Sequence, residues 1–117
     1  METKGYKAIA KYVMVSPSKV RPVADLVRGK SYTQAEAILA AMPQKGARLI
    51  AKVLKSAGAN ALNQNRKLDE DSLFVSAIFI DDGPRMKRVW ARSHGKRDIL
   101  IKRMSHITVI VDEKVGE

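Results

Sequence analysis

The chain has 117 residues, 45% of them hydrophobic, and no cysteine; that is one domain's worth of sequence, with disulfides and cysteine-ligated metals excluded. Twenty-two Lys and Arg against 12 Asp and Glu leave a net charge of +10 and a pI near 10.1, an excess usually offset by a polyanionic partner. No stretch approaches the roughly 20 apolar residues of a spanning helix, and Lys4, Lys7 and Lys11 break up the start where a signal peptide would be apolar, so nucleic acid is expected rather than membrane.

The first five residues read as a frayed end. From Tyr6 to Val15 apolar and polar residues alternate, with Tyr6, Ala8, Ala10, Tyr12 and Met14 on one face and Lys7 and Lys11 on the other, which predicts a strand with one buried face. Ser16-Pro17-Ser18 opens a helix, Ser16 as cap and Pro17 at the first helical position. Val20, Val23, Ala24 and Val27 supply its apolar stripe, and Gly29 ends it. Pro22 sits awkwardly inside it. Thr33-Gln34-Ala35-Glu36 reads as a capping box for a short helix that stops by Pro43.

Gln44 to about Leu62 carries the clearest helical period. Ala47, Ile50, Ala51, Leu54, Gly58, Ala61 and Leu62 cluster on one side, and Lys45, Arg48, Lys52 and Lys55 form a stripe roughly opposite. Such a stripe is a solvated face or an RNA contact, and the net charge favours RNA. The loop Asn63 to Asp71 holds the acidic run Asp69-Glu70-Asp71, which lacks further ligands at metal spacing and is expected to be solvated. Two apolar, β-branched runs follow, Leu73 to Ile80 and Met104 to Val111, both of strand length.

Between them, residues 82–103 hold eight Lys and Arg against two Asp, a net +6 that is more than half of the chain's charge. The segment is too long for a tight turn and too basic to bury. Two antiparallel arms of about ten residues reach roughly 33 Å, beyond the ~26 Å width of a body this size. A projecting finger is therefore predicted. Gly83-Pro84 marks its departure, and Ser93-His94-Gly95 is the expected tip. Its cations are Arg85, Lys87, Arg88, Arg92, Lys96, Arg97, Lys102 and Arg103. Trp90 lies among them, where it can stack on bases, pack against the opposite arm, or do both.

Nothing in the sequence assembles a catalytic site. Neither His94 nor His106 has a positioned carboxylate, and the glycines form no phosphate-binding or dinucleotide motif. No cofactor or metal is expected, and the chain reads as a binding protein rather than an enzyme. An architectural DNA-binding protein with a β-arm would share the charge, but its arm needs an apolar wedge that Ser93-His94-Gly95 does not supply. A small RNA-processing enzyme is the other alternative; loss of turnover on changing Asp69, Glu70 or His106 would be its sign.

Lys87, then Arg92-Ser93-His94-Gly95-Lys96 after four residues, then His106-Ile107-Thr108-Val109-Ile110-Val111 after nine, resembles the signature of the ribosomal protein L twenty-two family of the large subunit. Ser16-Pro17-Ser18-Lys19-Val20-Arg21, Asp25-Leu26-Val27-Arg28-Gly29 and Asp82-Gly83-Pro84 extend the likeness from about Tyr6 to Asp112. Ala91, Ile99 and Met104 depart from residues common in the family. The absence of long extensions resembles the bacterial or organellar form. The resemblance implies an α+β fold, a three-stranded antiparallel sheet packed with three helices, plus a long projecting basic β-hairpin. A single domain is expected, with its globular part at 6–81 and 104–112 and the hairpin at 82–103. It further implies a structural role in the large ribosomal subunit of the cytoplasm or an organelle, 23S-type rRNA as partner, and a part in assembly and macrolide response. Lys19, Arg21 and Arg28 join the stripe and finger residues as implied rRNA contacts, His94 among them. Trp90, Ala91, Arg92, Ser93, His94 and Gly95 are implied to line the peptide exit tunnel, next to ribosomal protein L four and the nascent polypeptide.

Overall fold

A computed structural model of the chain describes residues 5–83 and 103–113 in full and the backbone of 86–91 and 97–102. The first strand, β1 (Tyr6–Val13), begins with the expected alternation: Ala8 is buried while Lys7 and Ile9 are exposed. Then the alternation breaks. Ala10 faces Ile107 and Val13 faces Ser105 on the last strand, β5 (Ser105–Glu113). Lys11 and Tyr12 therefore lie opposite His106 alone, which is a bulge. The bulge reverses which side chains point inward. Val15 is buried at 9% exposure, whereas Tyr12 and Met14 are 59% and 44% exposed. The placement of Tyr12 and Met14 on the buried face is thus corrected: one extra residue moves every later side chain to the other side of the sheet.

Helix α1 (Pro17–Val27) starts on Pro17 and buries Val20, Val23, Ala24 and Val27, as the stripe predicted. Pro22 is accommodated because the carbonyl it leaves without an intrahelical partner belongs to Ser18, an exposed residue that solvent can serve. Past Arg28, Gly29 takes φ 82°, the left-handed conformation that ends helices and favours glycine. The chain then crosses beside the second strand, β2 (Leu73–Asp82): Gly29 N–H donates to Val75 O at 3.0 Å, and Val75 N–H donates to Lys30 O at 2.8 Å.

Helix α2 (Tyr32–Ala41) ends before Pro43, but its cap is Ser31 and not Thr33. The Ser31 Oγ accepts from Gln34 N–H at 3.3 Å. Starting two residues early brings Tyr32 onto the helix and buries its ring at 3% exposure. Helix α3 (Lys45–Gln64) spans 20 residues, reaching two past the expected end. Val53 and Ala57 join the predicted apolar face. At Gly58 a Cβ would lie 2.6 Å from the Tyr32 ring, so the close approach of α2 and α3 requires glycine there. A single 3₁₀ turn, Glu70–Ser72, leads into β2 and is closed by Asp69 and Ser72, each capping the other.

The three-stranded sheet runs β1-β5-β2 and is antiparallel throughout. The helices cover one face, on which Ala8, Val75, Ile78, Ile107, Val109 and Val111 meet Val20, Ile50 and Leu54 in one core. Ser105, a buried polar residue, satisfies its hydroxyl by donating to Val15 O at 2.6 Å. The fold class expected from the resemblance is the one observed.

Strands β3 (Met86–Ala91) and β4 (Arg97–Lys102) form a separate antiparallel ribbon, in register from Met86↔Lys102 to Ala91↔Arg97. The molecule measures 68 × 29 × 23 Å, with a radius of gyration of 17.4 Å where a compact chain of this length has about 13 Å. The proposed tip Ser93–Gly95, with Pro84, Arg85, Arg92 and Lys96, lies outside the described residues, as do the side chains of the ribbon strands, Trp90 included.

Candidate nucleic-acid interface

The period of α3 sets its four basic side chains on the side away from the core, and Lys45, Arg48, Lys52 and Lys55 are all exposed. Lys45 is also tied down, its Nζ donating to Met14 O at 3.1 Å. That bond joins the start of α3 to the segment after the β1 bulge. An open groove of about 960 Å³ lies at this junction, between Met14–Ser18 and Gln44–Gly46. Three of its lining residues, Lys19, Lys45 and Arg103, are cations, and none is acidic. The absence of any acid in the first turns of α1 and α3, where carboxylates are ordinarily favoured, keeps this region positive. Arg103 stands where the ribbon rejoins the body, so the groove lies at the foot of the ribbon.

Arg21 and Arg28 sit differently. Arg21 Nη2 donates to Ile80 O at 3.1 Å, and Arg28 Nη2 donates to Ile78 O at 2.8 Å. Arg28 also pairs with Asp25 one turn back along α1. Each guanidinium has five N–H donors, more than these contacts use, so both arginines fix α1 to β2 and still present charge outward. Charge pattern alone gave no sign of these carbonyl partners.

The ribbon brings Lys87 opposite Ile101, Arg88 opposite Leu100 and Trp90 opposite Asp98 along its backbone ladder. Lys102 faces Met86 and Arg97 faces Ala91 at its two ends. In the acidic run Asp69 is engaged with Ser72, and among the described residues no group of three or more His, Cys, Asp or Glu is placed to hold a metal. No helix among the described residues is long and apolar enough to cross a membrane.

One pair escaped the sequence reading. The Tyr12 amide donates to His106 Nδ1 at 3.0 Å, and the two rings meet edge to face, 5.0 Å apart at 88°. The bulge creates this contact, and a bulge has no compositional signature.

The model of the family described as Ribosomal protein L22p/L17e matches residues 8–112. The chain is 59% identical over 116 residues to "Large ribosomal subunit protein uL22" of Treponema denticola, covering 99% of this chain and 98% of the relative. Against the protein of the same name from Treponema pallidum it is 54% identical, over 94% of this chain and 89% of that one. For Thermosipho africanus the identity is 53%, over 95% and 74% of the two chains.

Proposed function

Because the chain belongs to the ribosomal protein L22p/L17e family, we propose that it is a structural constituent of the large ribosomal subunit, bound to its 23S-type rRNA. One observation carries the reading: a two-stranded ribbon is set on a helix-and-sheet body within a segment, 82–103, of net charge +6. Lys and Arg along such a ribbon neutralise crowded phosphates and release counterions, which favours binding whatever the base sequence. Arg85, Arg88, Arg92 and Arg103 add forked hydrogen bonding to phosphate. The family is one of structural ribosomal proteins, and this chain works by binding rather than by turnover.

The two parts of the single domain divide the task. The body lies against rRNA through Lys19 and the α3 stripe, with Arg21 and Arg28 contributing their remaining donors. The ribbon enters the RNA, and its tip, Trp90 to Gly95, lines the nascent-peptide exit tunnel beside a finger of ribosomal protein L four. The nascent polypeptide passes that tip, and the protein supports assembly of the subunit in the cytoplasm. Sedimentation through a sucrose gradient tests the reading. The tagged chain should travel with large subunits, and Arg48→Glu with Lys52→Glu should slow its incorporation while the circular-dichroism spectrum stays native. A chain that remains at the top of the gradient would refute it.

A further inference from the structure

The face of the sheet turned away from the helices carries aromatic residues that the core does not use. Across β1, β5 and β2 one row is Ile9–Thr108–Phe79, and the row beside it holds the β1 bulge, His106 and Asp81. Tyr12 and Phe79 are 59% and 50% exposed. Tyr12 sits at φ 59°, the one non-glycine residue at positive φ among those described. Bulky side chains seldom adopt that conformation, and a glycine would hold the bulge without strain. An outlier of this kind points from strain to use; its effect here is to set an aromatic ring on the surface with one edge braced by His106. Because His106 Nδ1 accepts from the Tyr12 amide, the proton of the neutral imidazole is on Nε2, which remains a donor.

We infer that this face is a stacking platform for unpaired RNA nucleotides, with one base on the Tyr12 ring, His106 Nε2–H donating to that nucleotide, and a second base on Phe79. The inference rests on the RNA-binding function proposed above and deepens it by naming a second surface and its ligand. Exposed Lys7 and Lys11 on β1 receive the phosphates. Asp81, opposite His106 on β2, and Asp112, towards the end of β5, keep the backbone off the other side. Aromatic side chains on an open sheet suit bases with a free face. Duplex RNA has none to offer.

The test uses the full chain, a labelled single-stranded oligoadenylate ten-mer and the same ten-mer in duplex form. Tyr12→Gly should weaken binding of the single strand about five- to hundredfold, leave duplex binding unchanged, and melt at or near the wild-type temperature because glycine relieves the strain. Tyr12→Phe should keep most of the affinity. Wild-type affinity in Tyr12→Gly overturns the platform alone, as does a wild-type chain that binds its rRNA but not the ten-mer. A wild-type chain that binds neither removes the RNA-binding function and the platform with it. A photo-crosslinking residue at Phe79 that captures protein instead of RNA in assembled subunits would show a protein-docking face and also overturn it.

Discussion

The body and the ribbon of this protein are held in shape by different things. In the body, Val20, Ala47, Ile50, Ile107 and Val109 have no exposed surface, and every square ångström of apolar surface so removed from water contributes about 25 cal/mol. The ribbon has a backbone ladder of six rungs, from Met86↔Lys102 to Ala91↔Arg97, and a two-stranded ribbon alone is marginal in water. Apolar content and charge are segregated along the chain to match. The body's conformation is specified by its own interior, whereas a two-stranded ribbon has no such interior and would be braced by the polyanion its charge attracts.

If that division is right, the largest effect belongs to salt. With about six to eight phosphates engaged, the logarithm of rRNA affinity should fall with the logarithm of salt at a slope of about −4 to −7, so a fourfold rise in salt weakens binding about 10²- to 10⁴-fold. Filter binding across a salt series measures this. Replacing Arg88 and Arg92 with Ala should flatten the slope, and replacing Asp69 and Glu70 should not. A wild-type slope shallower than about −2 would break the comparison.

Next in size is a cavity in the body. Leu54 is almost wholly buried under the sheet, and Leu54→Ala should cost about 2–5 kcal/mol in urea unfolding while the salt slope of the protein that remains folded is unchanged.

A smaller effect is expected at high pH. Burial, then the carboxylates of Glu36 and Glu70, push the Tyr32 hydroxyl up to about 12 from its ordinary 10.0. The folded state thus favours the neutral phenol, and its stabilising contribution is complete below pH 10 and lost as pH rises towards 12. The loss at pH 12 should be at most about 2 kcal/mol, less to the extent that solvent screens the hydroxyl. Unfolding curves from pH 9 to 12 should show it in the wild type and not in Tyr32→Phe.

The smallest change is expected from the largest excision. Removing Arg85 to Ile99 and closing the gap with a short glycine-containing turn leaves β2 and β5 complete and shortens the loop between them. Stability should fall by no more than about 1–2 kcal/mol. Loss of a cooperative melt would show that the ribbon belongs to the body.

Much of this architecture could be read from the residues, for identifiable reasons. Helix α3 was legible because Ala47, Ile50, Leu54 and Ala61 repeat at helical period with Lys45, Arg48, Lys52 and Lys55 opposite, and the ribbon was legible because charge concentrates where apolar content drops. Two details were not. Ser31 and Thr33 both stand three residues before a Gln or Glu, so spacing could not choose between them as cap; the burial of Tyr32 against Gly58 favours the earlier start. The bulge at Lys11 and Tyr12 is a two-against-one pairing with β5, visible only once the partner strand is known. The pairing of Tyr12 with His106 follows from that register and not from the spacing of the two residues in the chain.

The arginine contacts to β2 have a consequence for the protein before it meets RNA. β2 is an edge strand, and an edge with unpaired carbonyls recruits strands from other molecules. Here Gly29 and Lys30 engage the edge at Val75, while Arg28 and Arg21 take the carbonyls of Ile78 and Ile80. A strand from a neighbouring copy would have to displace both guanidinium groups, and each brings a positive charge that repels a chain of the same sign. A newly made copy waiting for its subunit is thereby protected from intermolecular sheet growth along this edge by residues that also pin α1 in place.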